Sequence, residues 1–457
     1  MAKKRVATIA DRSDVTDSFF SSVREAAQNA LGSSVSVGDE GGVVGLPLPA
    51  LCLRYLFQST VYPLSRIMQI AGEEGCAKSS FLYEMFRWHL IYGGGVVLAE
   101  NENKDSPILR RSLLEWNEEW IQRTLIKPTY SLEEWQAVFT HFMTTASEAQ
   151  DRKGGPGRTI PIIFAVDSIM ATAPEAEIKQ VMKDGWASRG YALAANLISR
   201  YMKIMPHLIR DYPFTIAGTN HLKPSTDARG LPTSNISGGK SVKFMETFEI
   251  EMKKSPGGTH IDRLDYSGLR IRFILRKNGV GATNKSITAE MLWWNELDQN
   301  GKSRQRTVWD WNTASIELLL SFENAKGKKT IFNQLRDITG IRAVSKSNRT
   351  AYSDLLGVPS SDPQPFRVIG QLLEGRPDIL QEVYKVLGIT EYDEFRPGLD
   401  YAAMQADAKR AAEIARTENL YAAPQGLPLT VSNTDVEMSP EEPDAEEAET
   451  DGEDDES

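Results

Sequence analysis

Short apolar runs alternate with helix-forming stretches through the first half of the chain, and this constrains the fold more than any other feature. RIMQIAG (66–72), VVLAE (96–100), PIIFAVDS (161–168) and FTIAGTN (214–220) have strand length. SSFLYEMFRWHLIY (79–92) and YALAANLISRYMKIM (191–205) lie between them with helical periodicity. Apolar strands separated by amphipathic helices predict a mostly parallel sheet covered on both faces, an α/β fold. FEIEMKK (248–254), GLRIRFILRKN (268–278) and SITAEMLWW (286–294) alternate more strongly and predict antiparallel strands that extend the sheet.

The chemistry-bearing motif falls between the first strand and the first helix. GEEGCAKS (72–79) approximates the phosphate loop G-x-x-x-x-G-K-[ST]. In such a loop the backbone N–H groups of Gly72, Glu73, Glu74, Gly75, Cys76, Ala77, Lys78, Ser79 and Ser80 surround phosphate oxygens at a helix N-terminus. Lys78 reaches the β- and γ-phosphates, and Ser79 holds Mg2+. Ala77 departs from the pattern, standing where the second glycine belongs; its methyl group is tolerated if φ stays negative.

Two acids complete the candidate centre. Asp167 ends the strand IIFAVD, where a carboxylate binds nucleotide-associated Mg2+ through water; alone it reads as a turn cap, but paired with Lys78 and Ser79 it reads as a metal ligand. Glu100 ends VVLAE and is the first choice for orienting or deprotonating the water that attacks the γ-phosphate. Glu102 competes for that role, and either is otherwise a solvated loop acid.

Length and charge divide the rest. The 457 residues suit two or three domains of roughly 150 each. With 41% apolar and 25% charged residues, most of the chain is neither disordered nor fibrous. The net charge is −10, yet residues 435–457 hold thirteen Asp/Glu and no Lys or Arg, so the remainder carries +3. Residues 1–50 are expected to form an arm, with a helix at 13–31 and a strand at 34–37, that packs on its own body or reaches a neighbouring copy. The ATPase-type core is expected at 51–300, a basic module at 301–420 and a disordered acidic tail at 421–457. Within the module, 326–349 hold seven Lys/Arg and one Asp, either a duplex-DNA phosphate site or a solvated helix and loop. The tail's carboxylates are expected to compete with DNA there. Two cysteines, Cys52 and Cys76, make no disulfide framework and point to a reducing compartment. The basic start Met1–Arg5 is followed by no signal-peptide core, and no run reaches the roughly 20 apolar residues that span a bilayer. The expectation is a cytoplasmic protein with no membrane partner.

RIMQIAGEEGCAKSS, VVLAEN, FAVDSIMATAPEAEI, TNH and SGGKSVKF follow the order and spacing of the RecA-type recombinases, including phage UvsX-like members, and the chain resembles that family over about residues 60–295. The run VDSIMATAPEAEI (166–178) carries the resemblance best. The resemblance implies a DNA-dependent ATPase using ATP and Mg2+ that forms a homo-oligomeric filament on single-stranded DNA and pairs it with duplex DNA. Single-strand-binding and loading proteins are further candidate partners. Lys78, Ser79, Asp167 and Glu100 take the phosphate, metal and catalytic roles, and His221 occupies the position of a γ-phosphate-sensing glutamine. Leu109 stands where an adenine-stacking tyrosine is expected. Extra helical material at 112–157 marks a divergent, viral-type member.

The resemblance also supplies DNA loops and contacts between subunits. Residues 179–190 correspond to the first loop, with Lys179, Lys183 and Arg189 for phosphates and Trp186 or Met182 as a wedge between bases. Residues 222–237, without periodicity, correspond to the second, with Lys223 and Arg229, followed by Gly238, Gly239 and Lys240. Lys243 with Phe244 matches an interface pair, and Arg276 and Lys277 lie near lysines that reach the neighbouring subunit's γ-phosphate. Two other readings stay open: a ring helicase or motor on the same core, which His221 allows, and a DNA-coating filament with weak hydrolysis, which Ala77 allows.

Overall fold

A computed structural model describes residues 43–422 apart from 103, 105, 185–190, 227–231, 237–245, 256–259 and 264. The expected helix at 13–31, the strand at 34–37 and the acidic tail lie outside the described residues. The chain divides into a unit ending at Glu413 and another beginning at Ile414.

The elements of the first unit run as follows. A short β1 (Val44–Pro47), α1 (Leu51–Phe57) and β2 (Val61–Pro63) lead into β3 (Ile67–Gly72) and the long α2 (Lys78–Ile91). Then come β4 (Gly95–Glu100), α3 (Pro107–Leu113), α4 (Glu118–Gln122), β5 (Thr124–Pro128) and the twenty-residue α5 (Leu132–Asp151). β6 (Ile162–Asp167), α6 (Glu175–Asp184), α7 (Tyr191–Ile209) and β7 (Phe214–Thr226) complete the alternating part. After β8 (Pro232–Ile236), β9 (Phe248–Lys254) and β10 (His260–Asp262) follow the long β11 (Ser267–Asn278), β12 (Lys285–Leu297) and β13 (Ser303–Trp309).

Among the described residues one sheet holds these strands in the order β13-β12-β11-β9-β3-β7-β6-β4-β5. From β9 to β5 every neighbouring pair is parallel, and β11, β12 and β13 add antiparallel strands. This α/β arrangement, a mostly parallel sheet with helices, is consistent with a RecA-like core. The alternation expected for an antiparallel β9 misleads, since β9 is parallel to β3 and antiparallel only to β11. Its acids Glu249 and Glu251 are both buried, so here polar alternation does not mark a solvated face. Glu251 is instead neutralised by Lys253 and Arg276.

One apolar core lies between one sheet face and α1, α2 and later helices; a second, on the other face, is built with α5 and α7. α2 buries Phe81, Leu82, Met85, Phe86, Trp88 and Leu90, each worth about 1.5–3 kcal/mol when fully enclosed as a large apolar side chain, and also His89. Its one buried acid, Glu84, accepts from Trp311 Nε1 at 3.0 Å, Trp88 Nε1 at 3.3 Å and Arg87 Nη1 at 2.7 Å, so the charge is fully partnered.

The packing continues past residue 300. α8 (Trp311–Ser321) stacks Trp311 on Trp309 with ring centroids 5.2 Å apart, and Phe81 meets both rings. α9 (Lys329–Thr339), a small sheet of β14 (Arg342–Ser345), β15 (Thr350–Tyr352) and β16 (Gln364–Pro365), α10 (Phe366–Glu374), α11 (Pro377–Leu387) and α12 (Tyr401–Ala422) follow. The basic stretch 326–349 is thus α9 with one arm of a hairpin. Its Arg349 is held by Glu290 of β12, with bonds of 2.6 and 2.5 Å. No helix among the described residues is long and apolar enough to cross a membrane.

Candidate nucleotide site

β3 ends at Gly72, a position where no larger residue fits. A Cβ on Gly72 would stand 2.5 Å from Cys76 Sγ and 2.6 Å from the Met252 carbonyl oxygen. The chain turns through Gly75 at φ +71° and enters α2 after Ala77 at φ +61°, ψ +31°. The expected negative φ at Ala77 is therefore not adopted: the loop keeps the left-handed turn that a glycine would make, at a cost of about 1–2 kcal/mol for the Cβ. Lys78 begins the helix and is buried. Its Nζ donates to the carbonyl oxygens of Gly72 at 3.0 Å and Glu73 at 2.8 Å. Cys76 Sγ also donates to the Glu73 carbonyl, at 2.9 Å, and burial pushes its thiol up. The side chains of Glu73 and Glu74 are exposed.

Parallel register carries the other residues to the same end of the sheet. Gly72 is paired with His221 of β7, and Glu100 of β4 with Asp167 of β6. Ligand sites gather at the carboxyl ends of parallel strands because the loops there leave the sheet. Asp167 accepts a hydrogen bond from Thr219; burial raises its pKa, and the Ser79 and Thr219 hydroxyls oppose the rise. Glu100 is buried, with Oε1 accepting from the Lys104 backbone N–H at 3.0 Å. Glu102 Oε1 lies 2.8 Å from His221 Nε2, and Oε2 is 2.9 Å from Lys104 Nζ. Burial pushes the Glu102 carboxyl up, but Ser168, His221 and Lys104 outweigh it and bring it down to about 2.

Lys78, Ser79, Asp167, Glu100, Glu102 and His221 are therefore drawn to one end of the sheet. Of the two acids, Glu102 is the one in contact with His221. Thr219 and Lys104 were not singled out from the sequence. Thr219 lies inside the apolar run FTIAGTN, and only its neighbour strand β6 brings it to Asp167.

The DNA-binding candidates are distributed differently. Lys179 and Lys183 lie on α6 rather than in a loop, and Lys179 pairs with Glu175 one turn back. Met182 on the same helix is 84% exposed. Residues 222–226 and 232–236 form an antiparallel ribbon, Leu222 opposite Ile236, rather than a stretch without secondary structure. Pro224 and Pro232 are tolerated because a two-stranded ribbon leaves each strand a free edge. Lys223 lies on this ribbon. Trp186, Arg189, Arg229, Gly238, Gly239, Lys240 and Lys243 lie outside the described residues. Arg276 and Lys277 end β11, two strands from β3 on the side away from β7. Arg276 is bound to Glu251. Leu109 on α3 packs against the apolar core. A cavity of about 560 Å³ lies away from the phosphate loop, between β11–β12 and α8, lined among others by Arg270, Arg272, Ser286 and Lys346.

Among the described residues no three His, Cys, Asp or Glu side chains group as a metal cage. The hydroxyl of Ser79 and carboxylate of Asp167 are a hard-oxygen pair, which fits Mg2+; that ion is commonly held by one or two carboxylates together with substrate phosphates.

No protein-family model matches the chain. It is 23% identical to Protein RecA of Fusobacterium nucleatum over 240 residues, 52% of this chain and 57% of the relative. It is also 23% identical to Protein RecA of Borrelia turicatae over 260 residues, 57% of this chain and 63% of the relative. Protein RecA of Mycoplasma mycoides matches at the same identity over 161 residues, 35% and 41%. The chain spans about half the length of these curated relatives. Together with the sheet order and the strand-end residues, these similarities support a RecA-like family.

Proposed function

We propose that the protein is an ATP-hydrolysing recombinase that assembles on single-stranded DNA and promotes homologous pairing and strand exchange. The observation that carries this reading is Lys78 at the start of the phosphate-loop helix, its Nζ turned onto the Gly72 and Glu73 carbonyl oxygens at 3.0 and 2.8 Å, with the neighbouring Ser79 hydroxyl near enough to Asp167 at the end of β6 to lower its pKa. The similarity to RecA proteins supports a recombination or repair role on DNA.

In this reading Lys78 and the loop N–H groups bind the β- and γ-phosphates of ATP. Ser79 and Asp167 hold Mg2+, which when bound neutralises phosphate charge. We assign the water-orienting role to Glu102, since its carboxylate faces His221 and its charge is felt by Asp167. A carboxyl at about 2 is a weak base, so Glu102 acts by orienting water and by electrostatics more than by taking a proton early. Glu100 then shapes the turn by holding the Lys104 N–H. His221, at the root of the β7–β8 ribbon, joins the γ-phosphate position to the segment proposed to meet DNA. Arg276 and Lys277 are proposed to act on a neighbouring subunit's nucleotide, the residues outside the described set at the DNA loops, and the acidic tail to restrain duplex capture.

The test combines phosphate release with negative-stain imaging, with and without single-stranded DNA. Stimulated hydrolysis and helical filaments are expected. Closed rings would move the assignment to a motor; no ATP turnover with or without DNA would remove it.

A further inference from the structure

The two flanks of the phosphate loop differ. Asp167, Glu102 and His221 stand on the β7 side. On the other side β3 is paired with β9, Gly72 opposite Met252, and β9 continues through Lys253 and Lys254 beyond the point where β3 turns into the loop. Lys253 is committed within the sheet, its Nζ 2.6 Å from Glu251 Oε1. Lys254 is not. It is exposed and makes no ion pair with any of the described residues. Its Nζ lies 3.6 Å, and its Cε 3.8 Å, from the place a Cβ would occupy on Gly75. The ammonium therefore stands beside the loop at Gly75, within ordinary van der Waals reach of the place a side chain there would begin. Burial raises the Cys76 thiol, and the charges of Lys78 and Lys254 both act against that rise.

The charge on the loop gives this approach a purpose. Glu73 and Glu74 are exposed on the same turn, while the Lys78 ammonium points inward at two carbonyl oxygens. Two carboxylates against one lysine would meet a polyphosphate with net negative charge. A second lysine brings the loop to neutrality.

We propose that Lys254 is a second cation of the phosphate loop, acting in cis on the diphosphate portion of a bound nucleotide. This rests on the ATPase reading above and deepens it. Lys254 sits on the flank away from Asp167 and Glu102, so it contributes to nucleotide binding more than to the chemical step.

The test uses the full chain as parent, Lys254→Ala and Lys254→Arg, with Mg-ADP titrated by calorimetry and DNA-stimulated ATPase kinetics in parallel. In Lys254→Ala the Kd for ADP and the KM for ATP should each rise about five- to tenfold while kcat changes less. Lys254→Arg should stay close to the parent. Lys254 is exposed, so its replacement leaves the core packing intact, and far-ultraviolet circular dichroism with a melting curve checks this. An unchanged Kd for ADP in Lys254→Ala, with a parent that binds ADP, overturns this assignment alone. A fall in kcat at constant KM overturns it equally. A parent that binds neither ADP nor ATP overturns the ATPase reading itself.

Discussion

His221 and Glu102 are 119 residues apart in sequence, yet His221 Nε2 lies 2.8 Å from Glu102 Oε1. The contact joins the end of β7, from which the ribbon to β8 leaves, to the turn after β4. It links the proposed DNA segment to a carboxylate whose charge acts on Asp167.

That contact separates the two candidate acids. Glu102→Gln should lower DNA-stimulated kcat by about 100-fold or more, with ADP affinity retained. Glu100→Gln should reduce the rate much less, since Glu100 is occupied with the Lys104 N–H. Single-turnover phosphate release compares the pair, and the opposite ranking would return the role to Glu100.

Ala77 is held at φ +61°, where a Cβ is disfavoured. Replacing it by glycine removes about 1–2 kcal/mol of strain and adds about 0.5–1 kcal/mol of unfolded-state entropy. Ala77→Gly should therefore stabilise the protein by roughly 0.5–1 kcal/mol. Urea unfolding followed by tryptophan fluorescence reads this as a higher midpoint, and a lower midpoint would contradict the strain argument.

His89 is buried in α2, with Nδ1 3.0 Å from the Met85 carbonyl oxygen, and burial lowers its pKa from 6.5 to about 4. The folded state thus binds its proton less readily than the unfolded state. The stability this withholds is present above pH 6.5 and is lost as pH falls from 6.5 toward 4, by up to about 3 kcal/mol. His89→Leu should flatten this part of the stability profile. Equilibrium unfolding at pH 7, 5.5 and 4.5 gives the difference between parent and variant, and parallel profiles would exclude His89 as its source.

Glu290 and Glu317 meet Arg270 and Arg349 in one network between β11, β12, α8 and the turn before β15. Glu290 is only 5% exposed, so Glu290→Leu leaves Arg349 without its bidentate partner. We expect a loss of about 3 kcal/mol, and partial recovery in Glu290→Leu/Arg349→Met. A double-mutant cycle measures the coupling; additive losses would mean the bidentate pair contributes nothing of its own.

Local sequence by itself determined the strand–loop–helix order, the limits of β3, β4 and β6 to within a residue or two, and the identity of the loop that starts α2. These follow from short-range physics: unbroken apolar runs want both faces buried, and Gly75, at φ +71°, marks a turn that few other residues make. Tertiary structure alone decided what contacts what. The parallel pairing of β9 with β3, the ribbon after His221, the contact of Glu102 with His221 and the approach of Lys254 to Gly75 all depend on which strands became neighbours. Side-chain periodicity states which face a residue occupies, whereas strand order and register, set by packing of the whole sheet, state which charge it will face.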